Sequence, residues 1–177
     1  MGVFRFLARI LVGLLFVGHG TQKLFGWFEG GGPEGTGQML ESVGLKPGKR
    51  HALAAGAAEA GGGLLFAFGA ATPLAAAALT SVMITAIKTV HWEKGVWSSQ
   101  GGYEYNLVLL MAAFSFTENG PGEWSVDGAL GRPRWGVAWA LAALAAGAAG
   151  SAFVLGSADD GSSAEETEAP EPAPAAA

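Results

Sequence analysis

The chain has 177 residues, of which 50% are hydrophobic and only 14% are charged, about half the charged share of an ordinary globular domain. The net charge is −5, but six of the 15 acidic residues lie in residues 158–177, and the rest shows no basic surface for nucleic acid. The absence of cysteine excludes disulfides, thiolate metal sites and thiol redox chemistry on this chain. This composition indicates a one-domain integral membrane protein in contact with the lipid bilayer.

The first predicted membrane span covers residues 4–25, close to the ~20 residues that cross a bilayer. It ends at Gly26, and Trp27 and Phe28 follow as interfacial aromatic residues. No small-residue cleavage site follows the basic start, so we interpret it as an uncleaved span. Residues 36–43 then have one apolar helical face, which predicts a surface helix at the membrane boundary.

The second and third predicted spans form a tight antiparallel hairpin. Residues 51–71 are rich in alanine and glycine, and the glycines at 61–63 allow a neighbouring backbone to approach closely. Thr72 is predicted to be an N-cap with Pro73 in the first turn, so a third span over residues 73–90 begins almost at once.

A fourth span is predicted over residues 103–117, and the Gly-Pro-Gly break at 120–122 follows it. Residues 135–155 are apolar and alanine-rich, which predicts a fifth span. The sequence therefore predicts an all-α antiparallel four-helix transmembrane bundle over residues 1–130, an additional transmembrane helix over 131–157 and a disordered acidic tail over 158–177.

Titratable side chains in or near the ends of these spans form the candidate site. His19 and Lys23 are four residues apart, so they share one helical face. Glu59 lies about 12 Å along the second span at 1.5 Å per residue. In antiparallel threading, the ends of spans one and three share a side of the membrane with the beginnings of spans two and four. We therefore predict one polar cluster at one end of the bundle, made of His19, Lys23, Glu59, Lys88, His91 and Glu104, and His51 lies at the same end, at headgroup level.

Two interpretations remain open for each charged member. Glu59 is either a proton-carrying or ligand-contacting carboxylate, or the partner of Lys23 or Lys88 in a structural ion pair. Glu104 is either a site carboxylate or a helix cap at headgroup level. Taken alone, each lysine is also explained by a long side chain that reaches the membrane boundary.

The histidines have similar alternatives. His19 is either a hydrogen-bonded core residue or a ligand contact, whereas His51 and His91 suit the interface. Dispersed histidines without carboxylates at metal-ligand spacing do not predict a metal or haem site.

Several motifs resemble the DoxX family of small bacterial membrane proteins over about residues 5–130. The matching stretches are Gly18-His19-Gly20-x-Gln22-Lys23-Leu24, Glu59-Ala60-Gly61-Gly62-Gly63-Leu64, Gly69 with Thr72-Pro73, Gly101-Gly102-Tyr103-Glu104-Tyr105 and Gly120-Pro121-Gly122-x-Trp124-Ser125-Val126-Asp127. The resemblance implies a four-helix bundle in the bacterial plasma membrane, associated with redox systems that pass electrons from sulfur compounds to quinone or handle oxidative stress. Distant relatives look more like membrane chaperones and cargo receptors, and the fifth span and tail depart from the four-helix pattern.

Ser125 and Asp127 lie after the Gly-Pro-Gly break, on the side of the membrane opposite the polar cluster. We interpret them as turn and cap residues, because serine and aspartate favour such positions.

The leading hypothesis is a DoxX-type subunit of a membrane redox system with a quinone pocket. Electrons would come from an oxidoreductase partner, because the chain has no cysteine, dinucleotide fingerprint or haem motif. A scaffold or chaperone for membrane proteins, or a proton-coupled carrier of a small solute, are the alternatives. The predicted catalytic residues are Glu59 and Glu104, and the predicted quinone-binding residues are His19, Lys23, Lys88 and His91.

Overall fold

The fold is helical, without strands, over the part of the chain that this computed structural model describes, residues 2–132 and 134–167. Side chains are described as far as Ala158, apart from Pro133. The predicted all-α class is confirmed. The helices are α1 (Val3–Phe25), α2 (Gly32–Ser42), α3 (Gly48–Phe68), α4 (Thr72–Ala86), α5 (Glu104–Asn119), α6 (Val126–Ala129) and α7 (Val137–Thr167), with a π-helical turn (Ile87–His91) and two 3-10 turns (Trp92–Lys94 and Ser98–Gln100) between α4 and α5.

Within the described residues, three helical segments are long and apolar enough to cross a membrane: Val3–Phe25, Thr72–Lys94 and Val137–Ala158. They correspond to the first, third and fifth predicted spans. Helix α3 is not in this set, since alanine, glycine and Glu59 dilute its hydropathy, and α5 has only 16 residues. Membrane crossing by α3 and α5, and with it the complete four-helix transmembrane bundle, stays a prediction.

Helix α3 packs against α1, α2 and α4, while α4 also contacts α5 and α7. The core between these helices centres on Phe16, Phe66, Leu79 and Leu109. Ala143 of α7 is buried in the same core, so α7 packs as part of one helical body with the preceding helices.

Helices α1 and α3 approach closely because glycines remove side chains from their interface. A Cβ atom on Gly20 would lie 2.4 Å from the backbone nitrogen of Ala60, and one on Gly13 would lie 2.7 Å from the carbonyl oxygen of Gly63. The predicted close approach of a neighbouring backbone is therefore seen at Gly63. A Cβ atom on Gly61 would have no neighbouring atom within 4 Å.

The start of α4 differs from the prediction by one residue. The N-cap is Ala71, with φ 44°, and Thr72 is the first helical residue. The prediction of Thr72 as the cap is wrong because the carboxylate of Asp127, from a distant part of the chain, accepts the N–H groups of Ala71 and Thr72. A local sequence pattern does not reveal a cap supplied by another segment.

Helix α7 is longer than the predicted fifth span. It continues to Thr167, so the first ten residues of the predicted tail, 158–167, are helical. The rest of that predicted tail, 168–177, lies outside the described residues.

Candidate functional site

An ion pair joins α1 to α3 inside the helical body. Nζ of Lys23 lies 2.5 Å from Oε2 of Glu59, whose side chain is only 3% exposed, against 23% for Lys23. Lys23 lies in the last turn of α1 and Glu59 in the middle of α3. The close contact of Gly20 with Ala60, one turn before Lys23 and next to Glu59, brings the two backbones near enough for this pair.

A cavity of about 500 Å³, called the polar cavity here for the polar side chains in its wall, lies beside the ion pair. Lys23 and Glu59 line it together with His19 of α1, His91 at the end of the π-helical turn and Tyr105 of α5. Its remaining lining residues are Met83, Ala86, Ser98, Gly101, Gly102, Asn106 and Leu109. The cavity therefore presents an ammonium, a carboxylate, two imidazoles, a phenol and an amide to one space.

Hydrogen bonds orient both imidazoles. Nδ1 of His91 lies 2.6 Å from the carbonyl oxygen of Gly101, which can only accept, so Nδ1 carries the proton and donates. Nδ1 of His19 lies 3.2 Å from Oε1 of Gln22, and its ring meets Tyr105 edge-on at a centroid distance of 6.3 Å. These bonds leave Nε2 of each ring as the nitrogen available to another group.

A second, mainly apolar cavity of about 470 Å³ is also lined by this ion pair. Side chains of α2, α3, α4 and α7 line it, among them Met39, Leu40, Val82, Phe153 and Val154. Lys23, Glu59 and His91 line both cavities, so the charged groups lie where a polar space and an apolar space meet.

A family model described as DoxX matches residues 4–92. This chain belongs to the DoxX family. The match and the apolar helices together make it an integral membrane protein. No curated protein and no solved structure matches the chain.

The DoxX match covers α1 to α4 and the π-helical turn, so it includes five of the six predicted site residues: His19, Lys23, Glu59, Lys88 and His91. All of these except Lys88 line the polar cavity. Helices α5 and α7, which complete the walls of the two cavities, lie beyond the DoxX match.

Glu104 lies near the cavity without lining it. Its carboxylate accepts a hydrogen bond of 2.9 Å from the backbone nitrogen of Ser98. This bond holds the 3-10 turn Ser98–Gln100 in place, and Ser98 and the following Gly101 line the cavity. This bond stabilises a turn ahead of α5, and both predicted roles of Glu104, site carboxylate and helix cap, stay predictions.

The structure does not bring Lys88 to the cluster. Its side chain is exposed and lines neither cavity, in contrast to the predicted gathering of all six residues. In the π-helical turn Ile87–His91 the repeat is longer than in an α-helix, so residues three apart no longer share a face as α-helical spacing implies. His91 therefore reaches the cavity while Lys88 points elsewhere.

Two residues that line the polar cavity, Tyr105 and Asn106, are not among the predicted site residues. Asn106 is buried, and its side-chain nitrogen lies 3.3 Å from the sulfur of Met83. The sequence signal for Asn106 as a site residue was a polar amide within the apolar run of the fourth span, since such groups in membrane segments face the protein interior.

Arg9 organises the end of this DoxX protein opposite the polar cavity, a role that was not predicted from the sequence. The buried guanidinium donates to three carbonyl oxygens, those of Ala67 at 3.1 Å, Pro121 at 2.5 Å and Trp124 at 2.7 Å. It thereby joins α1 to the end of α3 and to the loop after α5. An arginine so far into an apolar run costs free energy unless its N–H groups are hydrogen-bonded. Its position in the sequence was therefore the signal for a hydrogen-bonded structural role.

The predicted turn and cap role is confirmed for Ser125, whereas Asp127 caps a distant helix, α4, which was not predicted. Oγ of Ser125 accepts the N–H of Gly128 at 3.0 Å and so caps α6. The buried carboxylate of Asp127 accepts from Ala71 and Thr72 at the start of α4.

Proposed function

We propose that this DoxX-family protein is a subunit of a redox system in the bacterial plasma membrane and that it binds a lipid quinone at the Lys23–Glu59 ion pair. The observation that carries the proposal is the position of this pair between a polar and an apolar cavity. Ionisable groups in a membrane segment are costly, so a buried pair that lines open space favours a functional role.

A quinone has the chemistry that these two spaces require. Its headgroup carries carbonyl oxygens that need hydrogen-bond donors, and its isoprenoid tail needs apolar surroundings. In the polar cavity, Lys23 donates to Glu59 and, at 3.4 Å, to the carbonyl oxygen of His19, which leaves one of its three N–H groups for a ligand. Phe153 and Val154 in the apolar cavity would contact the tail.

The residues of the pair can hold and move protons during reduction of the quinone. Reduction to the quinol takes two electrons and two protons. The electrons would come from a partner oxidoreductase, because a chain without cysteine has no thiol to supply them. The protons would come from water, one of them through the ammonium of Lys23, with Glu59 stabilising the ammonium when it re-forms.

The test measures quinone that co-purifies with the protein extracted from native membranes. Wild type and Lys49→Gln, which changes an exposed lysine paired with Glu34, should retain the same amount of quinone. Lys23→Gln should lose most of it. Absence of quinone from the wild type, together with diverse client proteins in affinity purification, would overturn the redox proposal and support the scaffold alternative.

A further inference from the structure

We infer that this protein binds the headgroup of an anionic phospholipid at the end of the helical body opposite the Lys23–Glu59 pair. A pocket of about 540 Å³ lies there between the first turns of α4 and α7. Its lining includes Arg132, Arg134 and Trp135 from the segment that leads into α7, Trp139 from the first turn of α7, and Pro73 and Leu74 from α4.

The segment that carries the arginines is held in place by hydrogen bonds. The indole nitrogen of Trp135 donates to Oδ2 of the buried Asp127 at 2.9 Å. The backbone nitrogen of Arg132 donates to the carbonyl oxygen of Asp127 at 2.7 Å, and that of Gly136 donates to the carbonyl oxygen of Glu118 at 2.9 Å. The pocket wall is therefore positioned by the same aspartate that caps α4.

The charged side chains that line this pocket are all positive. Its lining has two guanidinium groups and no carboxylate. Both arginines are exposed, and the ion pairs among the described side chains involve neither of them. The guanidinium of Arg132 lies over the ring of Trp135, 5.6 Å from its centroid, which limits its motion. Arginine donors in such an arrangement match the oxygens of a phosphate group.

The surroundings favour a lipid phosphate over a soluble one. Two of the segments that are long and apolar enough to cross a membrane, Thr72–Lys94 and Val137–Ala158, begin at this pocket. Tryptophans such as Trp139 favour the headgroup level, and basic pockets between membrane helices bind anionic headgroups. Leu74 and Trp139, which are 64% and 51% exposed, offer apolar surface to the acyl chains.

The experiment measures binding of phosphatidylglycerol and phosphatidylcholine to the purified full chain by native mass spectrometry. Phosphatidylglycerol should bind more tightly than phosphatidylcholine. The double variant Arg132→Gln with Arg134→Gln should weaken phosphatidylglycerol binding about 25-fold, about fivefold for each arginine. The matched double variant Lys49→Gln with Arg50→Gln also removes two exposed positive charges, far from the pocket, and should bind like the wild type. Equal binding of both lipids, or an unaffected arginine variant, would overturn the inference.

Two further arms distinguish the source of the phosphate and guard against a misfolded variant. Inorganic phosphate should bind far more weakly than phosphatidylglycerol, and equal affinity would contradict a lipid site. In the otherwise unchanged protein, brominated phosphatidylglycerol should quench tryptophan fluorescence more than brominated phosphatidylcholine. Trp139→Phe should reduce that difference; an undiminished difference would place the lipid elsewhere.

Discussion

Lys23 and Glu59 are separated by 36 positions in the chain, yet their side chains meet at 2.5 Å across the interface of α1 and α3. Removing one partner of a buried pair leaves an uncompensated charge, whereas replacing both with apolar groups of similar size is often tolerated. The pair thus joins α1 to α3 and also places its two charges in the walls of both cavities.

Lys23→Met should destabilise the protein by about 3 kcal/mol, at the lower end for a buried pair because Lys23 is partly exposed. The double variant Lys23→Met with Glu59→Met should recover most of that loss. Reversible unfolding in detergent micelles measures both free energies. A double variant that is as unstable as Lys23→Met would show that the ion pair is not what makes the single change costly.

Gly20→Ala should separate α1 from α3, because its Cβ would lie 2.4 Å from the backbone nitrogen of Ala60. We expect a loss of about 2 kcal/mol, typical of overpacking in a dense core. Gly18→Ala is the matched control on the same helix, since a Cβ there has no neighbour within 4 Å. It should be neutral or stabilising by up to about 1 kcal/mol. Equal melting temperatures for the two variants would contradict the close approach.

Asp127→Ala should remove the acceptor for the N–H groups of Ala71 and Thr72 and for the hydroxyl of Thr72. We expect a loss of about 3 kcal/mol, because the two buried donors of Thr72 lose their acceptor together. Differential scanning calorimetry should show a lower melting temperature than for Glu123→Ala, which changes an exposed acid in the loop just before α6. Matching melting temperatures would mean that the cap contributes little.

Much of the candidate site follows from the sequence because antiparallel helices leave few choices. The end of α1, the interior of α3 and the end of α4 had to share one side, and this placed His19, Lys23, Glu59 and His91 together. The predicted position of Lys88 was wrong because the π-helical turn changes the angular spacing of residues after Ala86.

The features that the sequence did not predict depend on packing between distant segments. Nothing local to Thr72 indicates that Asp127 caps its helix, and nothing local to Phe153 or Val154 indicates that α7 lines a cavity with α3 and α4. The buried role of Arg9 likewise depends on carbonyl groups from α3 and from the loop after α5. These relationships appear only when the helices are assembled.

Equilibrium binding of a lipid quinone to the protein in nanodiscs tests the central claim most directly. Glu59→Gln should weaken binding at least about tenfold, or about 1.4 kcal/mol, because Lys23 loses the carboxylate that holds its ammonium in the cavity. Glu34→Gln, which changes the acid of the exposed pair with Lys49, should bind like the wild type. Equal affinity for wild type and Glu59→Gln would contradict a quinone site at this ion pair.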